Sequence, residues 1–330
     1  MINPTKNPTS EAINQRALKY RQTLSPNNNF TISELAQLPP YYGEVAIQDN
    51  LGYMYLGGSD CGTALRLLWN GKYEPSSIKV WEKLCKKANQ IYDLGAHTGV
   101  YTISAAIACL EYASGKAKFI HSFEPYIINF VRLKLNSKLN NIETIVNIHQ
   151  LAVSDRNGDV EMHIPLTASD YNSAGPTLQK AGLTTKNFTT TKVLSTSIDN
   201  YISRINSCQY PKQYSTNVDY FDLFKIDVEG NEPLVLKGMT NKLLSHPPII
   251  LIECVNDEPT KESSKILKNH GYSFYRINES NKKLIKVEEL VVMRNKEKPE
   301  STILDRNYLN ALCVPQQITE PELITLLTGI

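Results

Sequence analysis

The stretch over residues 91–99, Ile-Tyr-Asp-Leu-Gly-Ala-His-Thr-Gly, constrains the fold of this chain more than any other. A short apolar run ends just after Asp93, breaks at Gly95 and Gly99, and continues into an apolar-rich segment over residues 100–110. This order is typical of a buried parallel strand that turns sharply into a helix at a nucleotide-binding site. Gly95 lets the backbone turn, and Gly99 lets the start of the helix pack closely against a strand or a ligand.

Two acidic residues mark the ends of successive predicted strands. Asp93 lies just before the turn, where a carboxylate suits a cation or hydroxyl groups better than a pyrophosphate, so a positively charged ligand such as S-adenosylmethionine is favoured over NAD. A second strand is predicted over residues 118–123, and Glu124 at its end would accept hydrogen bonds from ribose hydroxyls. Pro125 suits the first turn of a following helix. A plain tight turn and a solvated Glu124 are the alternatives, and two strand-end acids in succession favour the binding site.

A third informative stretch covers residues 222–232, Asp-Leu-Phe-Lys-Ile-Asp-Val-Glu-Gly-Asn-Glu. Lys225, Asp227 and Glu229 alternate, so they share one face if the strand extends that far. Charges at the end of a central apolar strand are costly to bury unless they are paired or bound to a ligand. The alternative is a Lys225–Asp227 pair that only satisfies itself. A ligand site is favoured, because open α/β sheets bind ligands at the carboxyl ends of their strands.

Length and composition limit the class of protein. The chain has 330 residues, enough for one large α/β domain with additions or for two small domains. Its 41% hydrophobic and 21% charged residues are ordinary for a globular protein, and basic and acidic residues are interspersed to give a net charge of +2. The sequence has no basic arm for nucleic acid and no patch for an anionic membrane. Without a signal peptide or an apolar run of membrane-spanning length, we predict a cytoplasmic protein.

Cysteines and histidines form no metal-binding pattern. The six cysteines are far apart and include no Cys-x-x-Cys pair, which favours reduced, buried thiols over disulfides or a zinc site. The six histidines show no metal-binding spacing either, so we predict no structural transition-metal site. The cysteines are Cys61, Cys85, Cys109, Cys208, Cys254 and Cys313.

Apolar runs alternate with helical patterns through most of the chain, which predicts an α/β fold with a mostly parallel sheet and helices on both faces. The predicted core strands cover residues 90–94, 118–123, 144–151, 222–227 and 248–254, with further strands over 272–277 and 308–314. Helices are predicted over residues 11–23, 76–89, 126–139, 233–244 and 260–269, with others starting at Val100 and Glu320.

Four parts are predicted along the chain. They are a polar leader over residues 1–30, a Tyr- and Gly-rich cap or small hairpin on the substrate side over 31–85, the main domain over 86–315, and a C-terminal helix over 316–330. Within the main domain, a polar insertion over 155–217 carries two alternating segments, 160–164 and 189–194, and is expected to lie on the substrate side.

With these motifs in view, the chain resembles the FkbM-type methyltransferases, class I enzymes that depend on S-adenosylmethionine. Six stretches agree with that family in order and spacing from about Asn70 to Pro315, and the stretch over residues 225–230 is the most specific. The resemblance implies a class I methyltransferase fold, a Rossmann-like doubly wound sheet of about seven strands with the last one antiparallel, behind an N-terminal cap. The matching stretches cover residues 93–99, 123–125, 151–155, 197–201, 225–230 and 248–253.

The resemblance also implies which residues bind the cofactor. S-adenosylmethionine would contact Asp93, Gly95, His97, Gly99, Glu124, Ala152, Val153 and Ser154. Among these, the first four belong to the loop, Glu124 would hold the ribose, and the last three would line the adenine side. His97 departs from the family, which usually has Asn there. An imidazole can still donate to a carboxylate, so we interpret His97 as a neighbour of the cofactor rather than a catalytic base.

The expected reaction is transfer of a methyl group to a hydroxyl of a sugar-containing or other small secondary metabolite. Because an alcohol is a poor nucleophile at neutral pH, a base or a metal must assist it. Asp227, Glu229 and Glu253 are the candidate catalytic residues, with Asp227 at the boundary between cofactor and acceptor. Hard cations favour carboxylates, so the same three acids are the candidate ligands of a divalent metal such as Mg²⁺.

Two other functions fit parts of the pattern. An NAD-dependent oxidoreductase would use the same fold, but Gly-x-x-x-Gly is not its fingerprint, and Glu124 follows Gly95 by more than the roughly 20 residues expected. A non-catalytic binding module could also keep the fold. The acceptor, a small molecule or a glycan, would be recognised by the cap and the insertion. Tyrosines in the cap fit stacking on sugar faces and simple packing equally well.

Overall fold

The computed structural model describes residues 10–23, 30, 32–35, 37–112, 119–166, 176–179, 187–206, 221–294 and 305–328. Parts of the predicted leader (1–30) and insertion (155–217), Lys118 at the start of a predicted strand, Cys208 and the last two residues of the predicted C-terminal helix lie outside these ranges. The described residues form one large sheet with helices on both faces, a hairpin and a small second sheet.

The N-terminal region combines helices with a β-hairpin. Its elements are α1 (Ser10–Thr23), α2 (Ile32–Leu35), β1 (Tyr41–Ala46), β2 (Tyr53–Gly58), α3 (Gly62–Asn70) and α4 (Pro75–Lys87). Strands β1 and β2 pair antiparallel and form the small hairpin expected from the sequence. Leu56 and Trp69 belong to the same buried hydrophobic cluster as Ile91 of the main sheet, so this region shares a hydrophobic core with the sheet.

Strands and helices then alternate as predicted. The next elements are β3 (Gln90–Leu94), α5 (Val100–Glu111), β4 (Phe119–Phe123), α6 (Ile127–Leu139) and β5 (Val146–His149). Strand β5 is shorter than the predicted strand over 144–151. The backbone amides of Ile145 and Val146 both donate to the carbonyl of Ile142 at 3.1 Å, so a turn occupies the start of the predicted segment.

The predicted insertion contains a second sheet. Its elements, with the helix that follows, are β6 (Ala152–Val153), β7 (Gly158–Pro165), β8 (Phe188–Thr196) and α7 (Ile198–Asn206). The sheet has the order β6-β8-β7, with β7 and β8 antiparallel. The two alternating segments predicted from the sequence are therefore paired strands.

The C-terminal half completes the main sheet. It contains β9 (Leu223–Ile226), α8 (Glu232–Lys237), α9 (Thr240–Ser245), β10 (Ile249–Glu253), α10 (Asp257–Asn269), β11 (Tyr272–Ile277), β12 (Leu284–Val287), β13 (Asn310–Pro315) and α11 (Glu320–Thr328). The single helix predicted over 233–244 is wrong, because two short helices occupy that segment. They are separated at Gly238, where a Cβ would lie 2.1 Å from the backbone oxygen of Ser154.

The main sheet has the order β12-β11-β13-β10-β9-β3-β4-β5. Strands β10, β9, β3, β4 and β5 are parallel, and β13, the last along the chain, is antiparallel to both of its neighbours. The predicted class I arrangement is confirmed, with β12 as an additional edge strand that the sequence analysis missed. The strand order reverses between β3 and β9, which places the expected ligand crevice at their carboxyl ends.

Alternate residues of the central strands pack on opposite faces of the sheet. Ile91 and Leu223 belong to the hydrophobic cluster on one face, and Tyr92 and Phe224 to the cluster on the other. The rings of Tyr92 and Phe224 stack with centroids 4.3 Å apart. Among the described helices, none combines the length and the apolar character needed to cross a membrane.

Candidate active site

The glycine loop, residues 93–99, lies at the point where the strand order reverses. The backbone amides of Gly95 and Ala96 both donate to the carbonyl of Phe123, at 3.0 and 2.9 Å. Gly95 has a φ of 82°, and a Cβ at this position would lie 1.8 Å from the backbone oxygen of Asp227. A side chain is therefore excluded at position 95, where the loop contacts the end of β9.

Glu124 is fixed at the edge of the glycine loop. Its two carboxylate oxygens accept from the backbone amides of His97 at 2.9 Å and Tyr126 at 2.8 Å. Glu124 is only 5% exposed, and burial raises its pKa to about 7 although these amides favour the ionised form. The structure thus holds the predicted ribose-binding carboxylate beside the loop.

The side chain of Asp93 is buried, although this residue begins the glycine loop. Its carboxylate accepts from the hydroxyl of Thr102 at 2.6 Å, and that hydroxyl is 2.7 Å from Ser122. Asp93 is 1% exposed, and burial raises its pKa to about 6. These hydrogen bonds join the end of β3 to Thr102 of α5 and Ser122 of β4, and they hold the start of the glycine loop in place.

His97 occupies a strained position in the same loop. Its φ is 51°, in the left-handed region where Asn, Asp and His are the enriched residues other than glycine. This backbone conformation suits His as well as the Asn that the resemblance implies at this position. The imidazole Nδ1 is 3.1 Å from the hydroxyl of Thr98, which in turn lies 3.2 Å from the thiol of Cys61.

A side chain of α6 connects the glycine loop to the hairpin. The amide of Asn136 donates to the carbonyl of Thr98 and accepts from the backbone amide of Tyr55, both at 2.8 Å. One turn later, Asn140 both donates to and accepts from the backbone of Tyr53. These residues were not predicted from the sequence, although two asparagines spaced by four at the end of a predicted helix were a usable signal.

The predicted adenine-side residues follow directly after β5. Ala152 and Val153 pair with β8, and the carbonyl of Val153 accepts from the side chain of Asn231 at 3.0 Å. The backbone amide of Ser154 donates to Thr196 at 3.1 Å. The backbone amide of Glu124 donates to the carbonyl of His149 at the end of β5. Residues 152–154, which follow β5, therefore lie at the carboxyl edge of the main sheet, on the same side as Glu124.

A buried ion pair follows the glycine loop at the end of β9. Lys225 Nζ lies 3.0 Å from Asp227 Oδ2 and 4.9 Å from the ring centroid of Tyr101. Burial alone would lower the pKa of Lys225, but the nearby carboxylates, led by Asp227, outweigh it and raise that pKa. The Lys225–Asp227 pair, which the sequence offered as the alternative to a ligand site, is therefore present. The side chain of Asp227 is nevertheless 24% exposed, against 1% for Lys225.

The remaining predicted catalytic acids lie around this pair. Strand β9 ends at Ile226, because the carboxylate of Glu232 accepts from the backbone amides of Val228 and Gly230 and forms a turn. Glu229 lies beyond the strand and has a φ of 54°. It therefore does not continue the face of the strand, contrary to the prediction from the alternating charges.

Glu229 and Glu253 are half-buried, and neither carboxylate hydrogen-bonds to a described residue. Burial, followed by the charge of Asp227, raises the pKa of Glu229 to about 8. The same two causes raise the pKa of Glu253 well above its ordinary value. Both acids therefore lose their proton at a higher pH than an exposed glutamate does.

Two further polar residues complete this group, and the sequence analysis missed both. Glu74 accepts from the hydroxyl of Tyr101 at 2.6 Å and from the side-chain amide of Asn310 at 2.8 Å. Asn310 begins β13 directly opposite Glu253. Glu74 and Asn310 are 236 residues apart, so no local pattern could have brought them together.

Metal binding receives no support from the part of the chain that the structure describes. There, no three or more His, Cys, Asp or Glu side chains form a group that could hold an ion, and this includes Asp227, Glu229 and Glu253. Among the described residues no cysteine forms a disulfide; these cysteines are Cys61, Cys85, Cys109, Cys254 and Cys313.

Comparisons with solved structures give only low similarities. The chain is 13% identical to a methyltransferase FkbM from Methylobacillus flagellatus, with a TM-score of 0.38, covering 91% of this chain and 59% of that one. It is 11% identical to an O-methyltransferase from Bacillus cereus in complex with SAH, with a TM-score of 0.37 and coverages of 72% and 79%. For a precorrin-6y C5,15-methyltransferase from Geobacter metallireducens the values are 9%, 0.35, 72% and 86%.

The family is decided by sequence. No curated protein sequence matches this chain significantly. The sequence profile of the methyltransferase FkbM domain, however, matches residues 93–274, more than half of the chain. This range runs from the glycine loop to the middle of β11 and includes the Lys225–Asp227 pair. The chain belongs to the FkbM methyltransferase family.

Proposed function

We propose that this protein is an S-adenosylmethionine-dependent O-methyltransferase that acts on a hydroxyl of a sugar-containing or other small metabolite. The observation that carries the proposal is the position of Asp227. Its backbone contacts Gly95 of the glycine loop, and its partly exposed carboxylate is paired with the buried Lys225. A carboxylate that adjoins the loop can act on an acceptor placed next to the cofactor.

The residues around the glycine loop fit S-adenosylmethionine, which supplies a methyl group on a positively charged sulfur. Glu124 is held where its carboxylate can accept from ribose hydroxyls, and residues 152–154 would line the adenine side. Asp93 positions the loop through Thr102. His97 contributes its backbone amide to Glu124 and is a neighbour of the cofactor rather than a base.

Catalysis would depend on alignment and on removal of the acceptor proton. Holding the hydroxyl in line with the methyl group reduces the entropic part of the barrier. Asp227 is the first candidate for the base, and Lys225 fixes the position of its carboxylate. Glu229 and Glu253 are close enough to Asp227 for its charge to raise their pKa values, and they are the other two candidate catalytic acids.

Cofactor identity is tested by calorimetry with the purified chain. We expect S-adenosylhomocysteine to bind and NADH not to bind, because the glycine loop and Glu124 suit a nucleoside rather than a dinucleotide pyrophosphate. Absence of S-adenosylhomocysteine binding under native conditions would refute the proposal. Methyl transfer to a panel of metabolites then separates an enzyme from a binding module, which would bind the cofactor without turnover.

The Glu124→Ala variant is expected to bind S-adenosylhomocysteine more weakly by about 1.5–3 kcal/mol, the range for hydrogen bonds to a charged group. In the unchanged protein, affinity should rise as the pH increases through about 7, where Glu124 loses its proton and becomes a full acceptor. Calorimetry over a pH series measures both effects. The variant should lose this pH dependence, and an unchanged affinity would place Glu124 outside the cofactor site.

A further inference from the structure

We propose that Glu74 is a positioning residue of the candidate active site, which acts on the Lys225–Asp227 pair through the side chain of Tyr101. The inference rests on the proposed function, because it concerns the residues that hold the candidate base. Glu74 comes from outside the FkbM domain, since it precedes residues 93–274 and its partner Asn310 follows them. The described contacts form one path from Glu74 to the carboxylate of Asp227.

Tyr101 is the link between Glu74 and Lys225. Its hydroxyl donates to Glu74 Oε2 at 2.6 Å, and the centre of its ring lies 4.9 Å from Lys225 Nζ. A cation over the face of an aromatic ring is attracted by that ring, most strongly where both groups are desolvated. Tyr101 and Lys225 are both buried, so a displacement of this ring would act on the ammonium that is paired with Asp227.

The side chain of Tyr101 is held at both ends. Trp81 Nε1 donates to the backbone carbonyl of Tyr101 at 3.0 Å, and the two rings meet edge to face with centroids 5.7 Å apart. These contacts fix the inner end of the side chain. The outer end is fixed through its hydroxyl, and the acceptor that the structure describes for this hydroxyl is Glu74.

Glu74 has an unfavourable backbone conformation. Its φ of 41° and ψ of 58° lie in the left-handed region, and Glu is not among the residues enriched there. Backbone strain of this kind persists only where the surrounding contacts determine it, and it is concentrated at functional sites. Asn310 provides one such contact, since its side-chain nitrogen donates at 2.8 Å to the same Oε2 atom that accepts from Tyr101.

Glu279 provides a second contact, just after Glu74 along the chain. Its carboxylate accepts from the backbone amides of Ser76 at 2.7 Å and Ser77 at 3.3 Å, and also from the hydroxyl of Ser77. These bonds satisfy amides in the first turn of α4, which have no partner within the helix. The start of α4, and Glu74 with it, is therefore tied to the segment that follows β11.

The kinetic test uses the full chain, S-adenosylmethionine with a tritium-labelled methyl group, and a compound of the metabolite panel that becomes methylated. Tyr101→Phe removes only the hydroxyl, and Glu74→Leu removes its acceptor. Each should lower kcat roughly tenfold or more, as expected for the loss of a hydrogen bond to a charged group. The KM for the compound should change by less than about threefold. The double variant should be no slower than the slower single variant, because both changes break one link.

A conservative variant and two controls separate positioning from a general loss of structure. Glu74→Gln keeps an oxygen that can accept from Tyr101, so it should recover most of the activity that Glu74→Leu loses. The controls are Glu82→Gln, at a buried position of the same helix α4, and Tyr272→Phe, whose buried hydroxyl donates to Pro248. Both controls should turn over normally. A raised KM with unchanged kcat in Glu74→Leu, or additive losses in the double variant, would overturn the inference.

Nuclear magnetic resonance of Lys225 tests the positioning without any acceptor. The ammonium signal is observed in protein with isotope-labelled lysine and is identified by its loss in Lys225→Met. An aromatic ring shifts the resonance of a group above its face, so Glu74→Leu should move the Lys225 signal and Glu82→Gln should not. Tyr101→Phe gives the same test if Glu74→Leu does not fold.

An unchanged Lys225 signal in the folded variant would overturn the inference. If the signal moves but no compound of the panel is methylated, the proposed function fails and the positioning of Lys225 by Glu74 is retained. The two failures are therefore distinguishable.

Discussion

Replacing Asp227 by Asn is expected to lower turnover by roughly 10²–10⁴-fold, the contribution typical of a positioned general base. The change preserves the shape of the side chain and an oxygen that can accept from Lys225, so the fold should be retained with some loss of stability. The affinity for S-adenosylhomocysteine should change far less, because the loop contact at Gly95 involves the backbone of Asp227 and not its carboxylate. Single-turnover kinetics and calorimetry on the same preparation measure the two effects separately.

Asp159→Asn is the matched control, since Asp159 is exposed on β7 and the variant should turn over normally. Adding a chelator separates the remaining roles of Asp227. If the chelator abolishes the activity of the unchanged protein and Mg²⁺ restores it, Asp227 is better described as a metal ligand. If the Asn variant turns over normally with and without chelator, Asp227 is structural and the site assignment is wrong.

Gly95→Ala is expected to abolish measurable cofactor binding. The new Cβ would lie 1.8 Å from the backbone oxygen of Asp227, so the loop or the end of β9 has to move. Displacing a positioned group by about 1 Å can cost about 10²-fold in activity, and here the cofactor loop and the candidate base move together. The residue also adopts a φ of 82°, which costs a residue with a side chain about 1–2 kcal/mol.

Gly158→Ala isolates the cost of a positive φ from the cost of a close contact. Gly158 has a φ of 100°, and a Cβ there would meet no atom within 4 Å. This variant should lose only about 1–2 kcal/mol of the free energy of unfolding and should keep its cofactor affinity. Chemical denaturation and calorimetry compare the pair. Equal losses of stability with normal cofactor binding in both variants would show that the close contact at Gly95 is not required.

The central part of the fold was predictable because each signal was local. The segment over residues 90–94 is a buried strand at the predicted boundaries, and the glycines after it take the turn that the sequence indicated. The helix predicted over 233–244 was wrong because its break depends on a distant contact between Gly238 and Ser154. Strand β12 was missed because four residues on a sheet edge carry little periodic signal.

The candidate site was also predictable in part, where its signals were local. Acids at strand ends were recognisable one by one, since the carboxyl ends of parallel strands meet at one edge. The sequence could not indicate that Asp93 lies beneath the loop, because its burial depends on Thr102 and Ser122 from two other elements. Nor could it place Glu74 next to Asn310, because only the folded chain brings them together.

The double hydrogen bond of Asn136 has a consequence for dynamics. The side-chain amide of Asn136 donates to the carbonyl of Thr98 in the loop and accepts from the backbone amide of Tyr55 in the hairpin. Tyr55 precedes Asn136 by 81 residues. A ligand that stabilises the loop thereby stabilises this bridge, and by reciprocity a closed hairpin favours the liganded loop. We therefore expect hydrogen exchange at the amide of Tyr55 to slow when S-adenosylhomocysteine binds, and an unchanged exchange rate would show that the Asn136 bridge does not couple the hairpin to the loop.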